Sequence, residues 1–351
     1  TKLVGHKSFW RSEMAVHKAT DWHASVKMSS TRVIGSETCN SENMCGIHLG
    51  DGVQLTYLTG LEYKDITPLW DWHRLPGTTC DQGMDELVPK GWNQSYGGSN
   101  FSGVLGDEKS GMAAMIYKRK GLTAHKVCFF CNNQIVCMGA AIEGETIGNV
   151  FTSIEQSRLN GEVFSVTGKL SNGEHQLKGG SYINHAGITY KFLNDAACSV
   201  KMVNGNWKNT FPTFHKNEDS GEIFNIWIDH GKSPKNGHYV YFVLPGTTLQ
   251  QANELSDKVT IICNTSKVQA IETSDELQAV FYEPGKLESD SYGEIQVDKL
   301  CLLLLKNNRL FVSDPTHKSS EIEITLKNKT LNLKFPTATN IGNKTLWDVE
   351  L

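Results

Sequence analysis

Short apolar runs, separated by polar breaks rich in Gly and Asn, fill this chain from end to end, and almost none repeats at the 3.6-residue spacing of a helix. Glu321-Ile322-Glu323-Ile324-Thr325-Leu326 alternates polar and apolar residues, as a strand with one buried face does. Three stretches are instead continuously apolar or aromatic and read as buried strands: Ile135-Val136-Cys137 with the Ala-containing residues after it, Gly237 to Leu244, and Leu302-Leu303-Leu304-Leu305. Asn172-Gly173, Asn204-Gly205 and Asn307-Asn308 supply hairpin or loop signals, because Asn and Gly tolerate positive φ. Helix is confined to Leu249 to Leu255. The pattern predicts an all-β protein of two packed sandwich domains, a large one over 1–256 and a smaller one over 257–351.

Composition narrows the partners. A net charge of −4 over 351 residues provides no general field for a polyanion, so nucleic acid is not expected, and an acidic polymer would need local Arg and Lys. No apolar run approaches membrane-spanning length, so no membrane partner is expected. The nine cysteines leave at least one thiol unpaired or paired between chains. Glycosylation sequons occur at Asn93, Asn100, Asn264, Asn328 and Asn343. Cysteines and sequons together predict a secreted eukaryotic protein with at least one disulfide and a glycan on at least one sequon. Thr1 reads as a mature or processed terminus.

Candidate chemistry concentrates in two segments. Glu37-Thr38-Cys39-Asn40-Ser41-Glu42-Asn43 packs two carboxylates and two carboxamides into seven residues and runs through Met44-Cys45-Gly46 toward a tight turn at Gly50-Asp51-Gly52. Such side chains can orient a polar polymer, or they can make a polar turn between strands. In Trp70-Asp71-Trp72-His73-Arg74, the Trp and His rings could stack on sugar faces or pack into the core. Arg74 could hold a carboxylate or sulfate, or brace Asp71. Cys128-Phe129-Phe130-Cys131 has the spacing of a zinc pair but lacks a second pair, and reads as buried or disulfide cysteines. Asp229-His230-Gly231 caps a strand and turn, and no Gly-x-Ser-x-Gly elbow accompanies it or His185. No phosphate or calcium loop is present, and neither metal nor cofactor is expected.

These segments, taken with others in order along the chain, resemble the β-domains of polysaccharide lyase family 8, whose members cleave hyaluronan, chondroitin and xanthan. The resemblance also rests on Phe9-Trp10-Arg11-Ser12-Glu13-Met14-Ala15-Val16-His17, Ser29-Ser30-Thr31-Arg32, Gly97-Gly98, Ile142-Glu143, Thr152-Ser153-Ile154-Glu155-Gln156, Asp229 to Tyr241, and Val312-Ser313-Asp314-Pro315-Thr316. It implies a many-stranded supersandwich followed by a smaller sandwich. It implies supporting catalytic roles for Glu37 and Asn40, beside which Arg32, Glu42, Asn43, Trp70, Trp72, His73 and Arg74 are the candidate glycan contacts by their own chemistry. The family's Tyr, His, Asn and substrate-binding arginines lie mainly in an N-terminal α/α toroid, and this chain resembles the part that follows it. The resemblance therefore implies β-elimination on an acidic glycan only with a toroid, present as a partner chain or as a removed N-terminal half, and no cleavage by this chain alone. The alternative is a non-enzymatic secreted protein that kept the sandwich for glycan binding, structural assembly, self-association as a homo-oligomer, or protein interaction.

Overall fold

Leu302-Leu303-Leu304-Leu305 shows why apolar runs rather than alternating ones dominate. Leu302 and Leu304 enter one core while Leu303 and Leu305 enter another on the opposite face. The computed structural model, which describes residues 3–91, 95–131, 133–213 and 218–349, places this strand in a sheet covered on both sides. The same holds for Gly237–Pro245, whose Tyr239, Tyr241 and Val243 face one core and Val240, Phe242 and Leu244 the next. Each large apolar side chain so buried contributes about 1.5–3 kcal/mol, which is why continuous runs are stable only in middle layers.

The layers follow from this. Strand accounts for 54% of the chain and helix for 6%, so the protein is all-β. A nine-stranded sheet runs in the order Gly168–Lys169, Val163–Ser165, Ser181–His185, Ile188–Phe192, Gly237–Pro245, Gln134–Glu143, Leu122–Cys131, Gly111–Arg119, Ser102–Gly106. One face packs on a four-stranded sheet (Gly5–Phe9, Met14–Lys18, His23–Met28, Asp51–Tyr57) and on a five-stranded sheet that includes Ala196–Asn206, Glu218–Lys232 and Asn149–Arg158. The other face meets a six-stranded sheet that begins at Thr260–Asn264. That sheet in turn covers the four-stranded sheet of Gly285–Ser289, Gly293–Val297, Glu321–Leu326 and Lys329–Lys334. Strand pairing within these sheets is antiparallel throughout. The helix is Leu249–Ser256, started by a capping box in which Thr248 and Gln251 exchange hydrogen bonds.

Several expectations are corrected. All nine cysteines are free, so the expected disulfide is not formed. Cys128 and Cys131 lie in the strand Leu122–Cys131, as a buried-strand reading requires. Asn204-Gly205 is not a turn: Ala196–Asn206 pairs with the next strand through Asn206↔Glu218. Asp51 is not in a tight turn but opens the strand Asp51–Tyr57, with its side chain fully buried. Among the sequons, Asn93 lies outside the described residues. The Asn264 carboxamide is built into the sheets, its nitrogen donating to the Gly139 and Tyr239 carbonyls at 3.0 Å each, so a glycan there would remove at least one of these bonds. Asn100 and Asn343 are half-buried, and Asn328 is exposed in the turn between Glu321–Leu326 and Lys329–Lys334. No helix among the described residues is long and apolar enough to cross a membrane.

Candidate functional site

The Glu37 loop connects His23–Met28 to Asp51–Tyr57 and is held from both ends. Its first half zips to the segment 95–99: the Gly97 amide donates to the Ser30 carbonyl at 2.9 Å, Thr31 to Ser99 at 2.8 Å, and Gly35 to Ser95 at 3.0 Å. Bridges Ile34–Tyr96 and Thr38–Gly91 continue the zipper. At the other end the Met44 amide donates to the Thr210 carbonyl at 2.9 Å, and the Cys45 thiol lies 3.5 Å from the Asn209 carbonyl.

Between these anchors the loop closes on itself. Asn40, Ser41 and Asn43 adopt φ of 52°, 61° and 58°, a left-handed path that Asn tolerates better than most residues. The Asn43 carboxamide donates to the Glu37 carbonyl at 2.9 Å, and the Thr38 hydroxyl donates to the Asn43 carbonyl at 3.0 Å. A Cβ on Gly46 would run into the Asn43 carboxamide and displace it, so glycine leaves the room in which Asn43 sits. Asn43, expected to contact glycan, is therefore the clasp of the loop, its amide nitrogen spent internally. Glu37, Asn40 and Glu42 are exposed, and no hydrogen bond or ion pair reaches their side chains among the described residues. The loop thus presents a carboxylate and a carboxamide three residues apart on a pinned backbone.

The floor under the loop is charged but buried. His48 Nδ1 lies 2.8 Å from the Asp51 carboxylate, Arg119 grips the same carboxylate through Nε and NH2 at 2.9 Å each, and the Cys80 thiol lies 3.2 Å from His48 Nε2. Despite burial, the Arg119 charge and the His48 contact hold the Asp51 carboxyl well below the usual carboxylate range. This constellation was not foreseen, although the i,i+3 spacing of His48 and Asp51 and the basic triplet Lys118-Arg119-Lys120 were visible signals.

The tryptophan segment divides. Trp72 is only 8% exposed and packs with Val53 and Leu75, so it offers no face to a sugar, against expectation. Trp70 is half-buried, meets Trp72 edge-on at 5.4 Å, and lies 3.3 Å from the Gln156 carbonyl through its ring nitrogen. His73 Nε2 donates to the Met84 carbonyl at 2.6 Å, and the Asp71 carboxylate, accepting from the imidazole, raises its pKa. Arg74 both braces Asp71, Nε to carboxylate 3.2 Å, and is stacked on the Phe151 and Trp227 rings at 4.7 and 4.6 Å. Its Nε also donates to Gln82, while no partner takes the terminal nitrogens among the described residues. It is a preoriented guanidinium whose two terminal nitrogens are open among the described residues.

Arg32, also expected on the glycan surface, is engaged elsewhere. It is paired with the fully buried Glu13 at 2.8 Å and donates to the carbonyls of Asn100, Ser102, Pro315 and Thr316. It clamps the two β-units together.

Glu155 and Gln156 explain their motif. Gln156 accepts from the Asp71 amide at 2.8 Å and donates to the Asp71 and Arg74 carbonyls, which positions the Arg74 turn. Glu155 is buried beneath the Tyr63 and Tyr190 hydroxyls at 2.9 Å, and burial outweighs these bonds and pushes its carboxyl up to about 7. A raised acid binds more protons folded than unfolded, so stability falls as pH rises from its ordinary 4.5 through about 7. Glu155→Gln removes this loss. Its stability relative to the parent chain is expected to improve by about 2–3 kcal/mol between pH 5 and pH 8. Urea unfolding at both pH values checks this, and an offset that does not change with pH would contradict it.

Residues 4–256 match the family model for the polysaccharide lyase family 8 super-sandwich domain, and 260–323 that for the family 8 C-terminal beta-sandwich domain. The chain is 33% identical over 338 residues to chondroitinase-AC of Pedobacter heparinus, covering 92% of this chain and 48% of that protein. It is 26% identical over 361 residues to a hyaluronate lyase of Thermasporomyces composti, covering 92% and 44%. A solved chondroitinase AC lyase, studied as enzyme–oligosaccharide complexes, superposes with a TM-score of 0.90 at 30% identity, over 98% of this chain and 54% of that one. The chain thus spans about half the length of the curated relatives it matches.

Proposed function

This chain belongs to polysaccharide lyase family 8, and from that premise we propose that it forms the β-side of an acidic-glycan cleft in a secreted lyase. The single observation that carries this reading is the pinned loop with Glu37 and Asn40 exposed and, among the described residues, unpartnered. β-Elimination at a uronic acid needs a base for the C5 proton, donors for the charge that develops on the carboxylate, and an acid for the leaving oxygen. Glu37 and Asn40 orient such groups rather than replace them. The base and acid come from the α/α-toroid portion, in the same polypeptide or a partner chain. Arg74, with its free guanidinium nitrogens, and the half-buried Trp70 extend the glycan surface.

The test is ultraviolet absorbance of newly formed unsaturated uronate. With chondroitin or hyaluronan, the 351-residue chain alone is expected to give no product above background, and the chain joined to a toroid portion to give product. Product from the chain alone that disappears in Glu37→Gln would show that these sheets are a lyase by themselves.

A further inference from the structure

The loop lies between two cavities of opposite character. On the Asn209 side is an open cleft of about 660 Å³ lined by Asn204, Asn206, Asn209, Glu218 and Asp219, with no Lys or Arg among the described lining residues. On the side zipped to the segment 95–99 is a cavity of about 220 Å³ whose walls carry Lys90, Lys118, Arg119 and Lys120 against a single acid, Glu86. Charge alone separates them: a polyanion crossing the loop is repelled by the first and drawn to the second.

We propose that this smaller cavity is an anion subsite that takes the sulfate or carboxylate of an acidic glycan crossing the Glu37–Asn43 loop, a proposal that rests on the cleft reading above. Its volume is below the ~300 Å³ at which small-molecule pockets begin, so it accepts a substituent rather than a length of chain. Arg119 forms its fixed part, immobilised by the two bonds to Asp51, which also neutralises it. Lys120 is paired with Glu86 at 2.7 Å. Lys90 and Lys118 are exposed and have no ion-pair partner among the described residues, so they carry the uncompensated charge. Tyr96 stands at the rim, 41% exposed, with a ring face for a sugar. The bridges Ile34–Tyr96 and Thr38–Gly91 tie this rim to the loop at strand spacing, about 5 Å. A glycan over Glu37 therefore has its next anionic substituent within reach of the two lysines.

The experiment compares the full chain with Lys90→Ala/Lys118→Ala, both substitutions being on exposed side chains, with thermal unfolding as the folding control. Calorimetric titration uses a chondroitin sulfate octasaccharide and its desulfated counterpart, and inorganic sulfate is titrated separately by amide chemical shifts. The double variant is expected to bind the sulfated octasaccharide about 10-fold more weakly at low salt. If desulfation costs the parent chain the same factor, the anion is the sulfate. If the desulfated octasaccharide binds the parent equally and the variant loses affinity for both, it is the carboxylate. Unchanged affinity in the double variant overturns the subsite. If the parent binds neither octasaccharide, the cleft reading fails instead. The anion site then stands if inorganic sulfate shifts the amides of 95–98 and Gly111–Arg119 in the parent and not in the variant, and falls if it does not.

Discussion

Asp51→Ala is expected to lower the free energy of unfolding by about 3–5 kcal/mol, because it strands a buried cation. Arg119 has 14% of its side chain exposed and spends Nε and NH2 on Asp51. Without the carboxylate, that largely buried charge is left beside Tyr117 and Cys80 with its counter-ion gone. The effect has a pH signature. The Asp51 carboxyl is depressed in the folded chain, so its contribution is fully present above the ordinary carboxylate value near 4 and is lost as pH falls toward its folded value. The parent chain should therefore lose stability in acid more steeply than Asp51→Ala, and the two curves should converge below pH 4. Urea unfolding from pH 7 to pH 3 measures this. A constant gap across that range would mean that packing, rather than the ion pair, carries the loss.

Asp51 also shows where sequence stops being informative. Gly50-Asp51-Gly52 has the local chemistry of a turn. What overrides it is Arg119, 68 residues away, and no local rule can see that partner. Arg32 is the same case: its carbonyl partners lie 68 to 284 residues along the chain, so an arginine in a family motif looked like a substrate ligand when it is a clamp. Asn264 likewise carries a sequon whose amide nitrogen is already bonded to two distant strands. Period and run length, by contrast, depend on neighbours in sequence. The alternation of Glu321–Leu326 marks an outer layer and the unbroken Leu302 to Leu305 a middle one, and both were legible. The Asn204-Gly205 signal failed because Ala196–Asn206 keeps its ladder through Asn206↔Glu218, so both residues stay inside the strand. In the site, the Glu37 loop was legible because its residues are contiguous. The cationic cavity was not, because Lys118 meets Lys90 and Tyr96 only where the folded chain lays Gly98 against Lys118.

In the lyase proposed above, formed by this chain with a toroid portion, Glu37→Gln is expected to lower kcat by about 100-fold while leaving folding unchanged. Stability is insulated because the Glu37 side chain is exposed, and the loop is closed by its backbone carbonyl, which Asn43 grips, rather than by its carboxylate. Glutamine keeps the shape and one acceptor oxygen but removes the charge and presents a donor where an acceptor stood. Groups oriented by that carboxylate across the cleft would then be displaced or wrongly protonated, and errors of about 1 Å in a reacting constellation cost on the order of 10²-fold. KM should change far less, since in the proposed cleft other groups, Arg74 among them, hold the glycan. Asn43→Ala makes the contrast. It opens the clasp under the loop, so it should lower kcat together with the unfolding temperature, whereas Glu37→Gln lowers kcat alone. Steady-state kinetics with thermal unfolding of both variants reads the two effects separately. A Glu37→Gln enzyme with parental kcat would remove this loop from the catalytic side of the cleft and leave it a structural element of the sandwich.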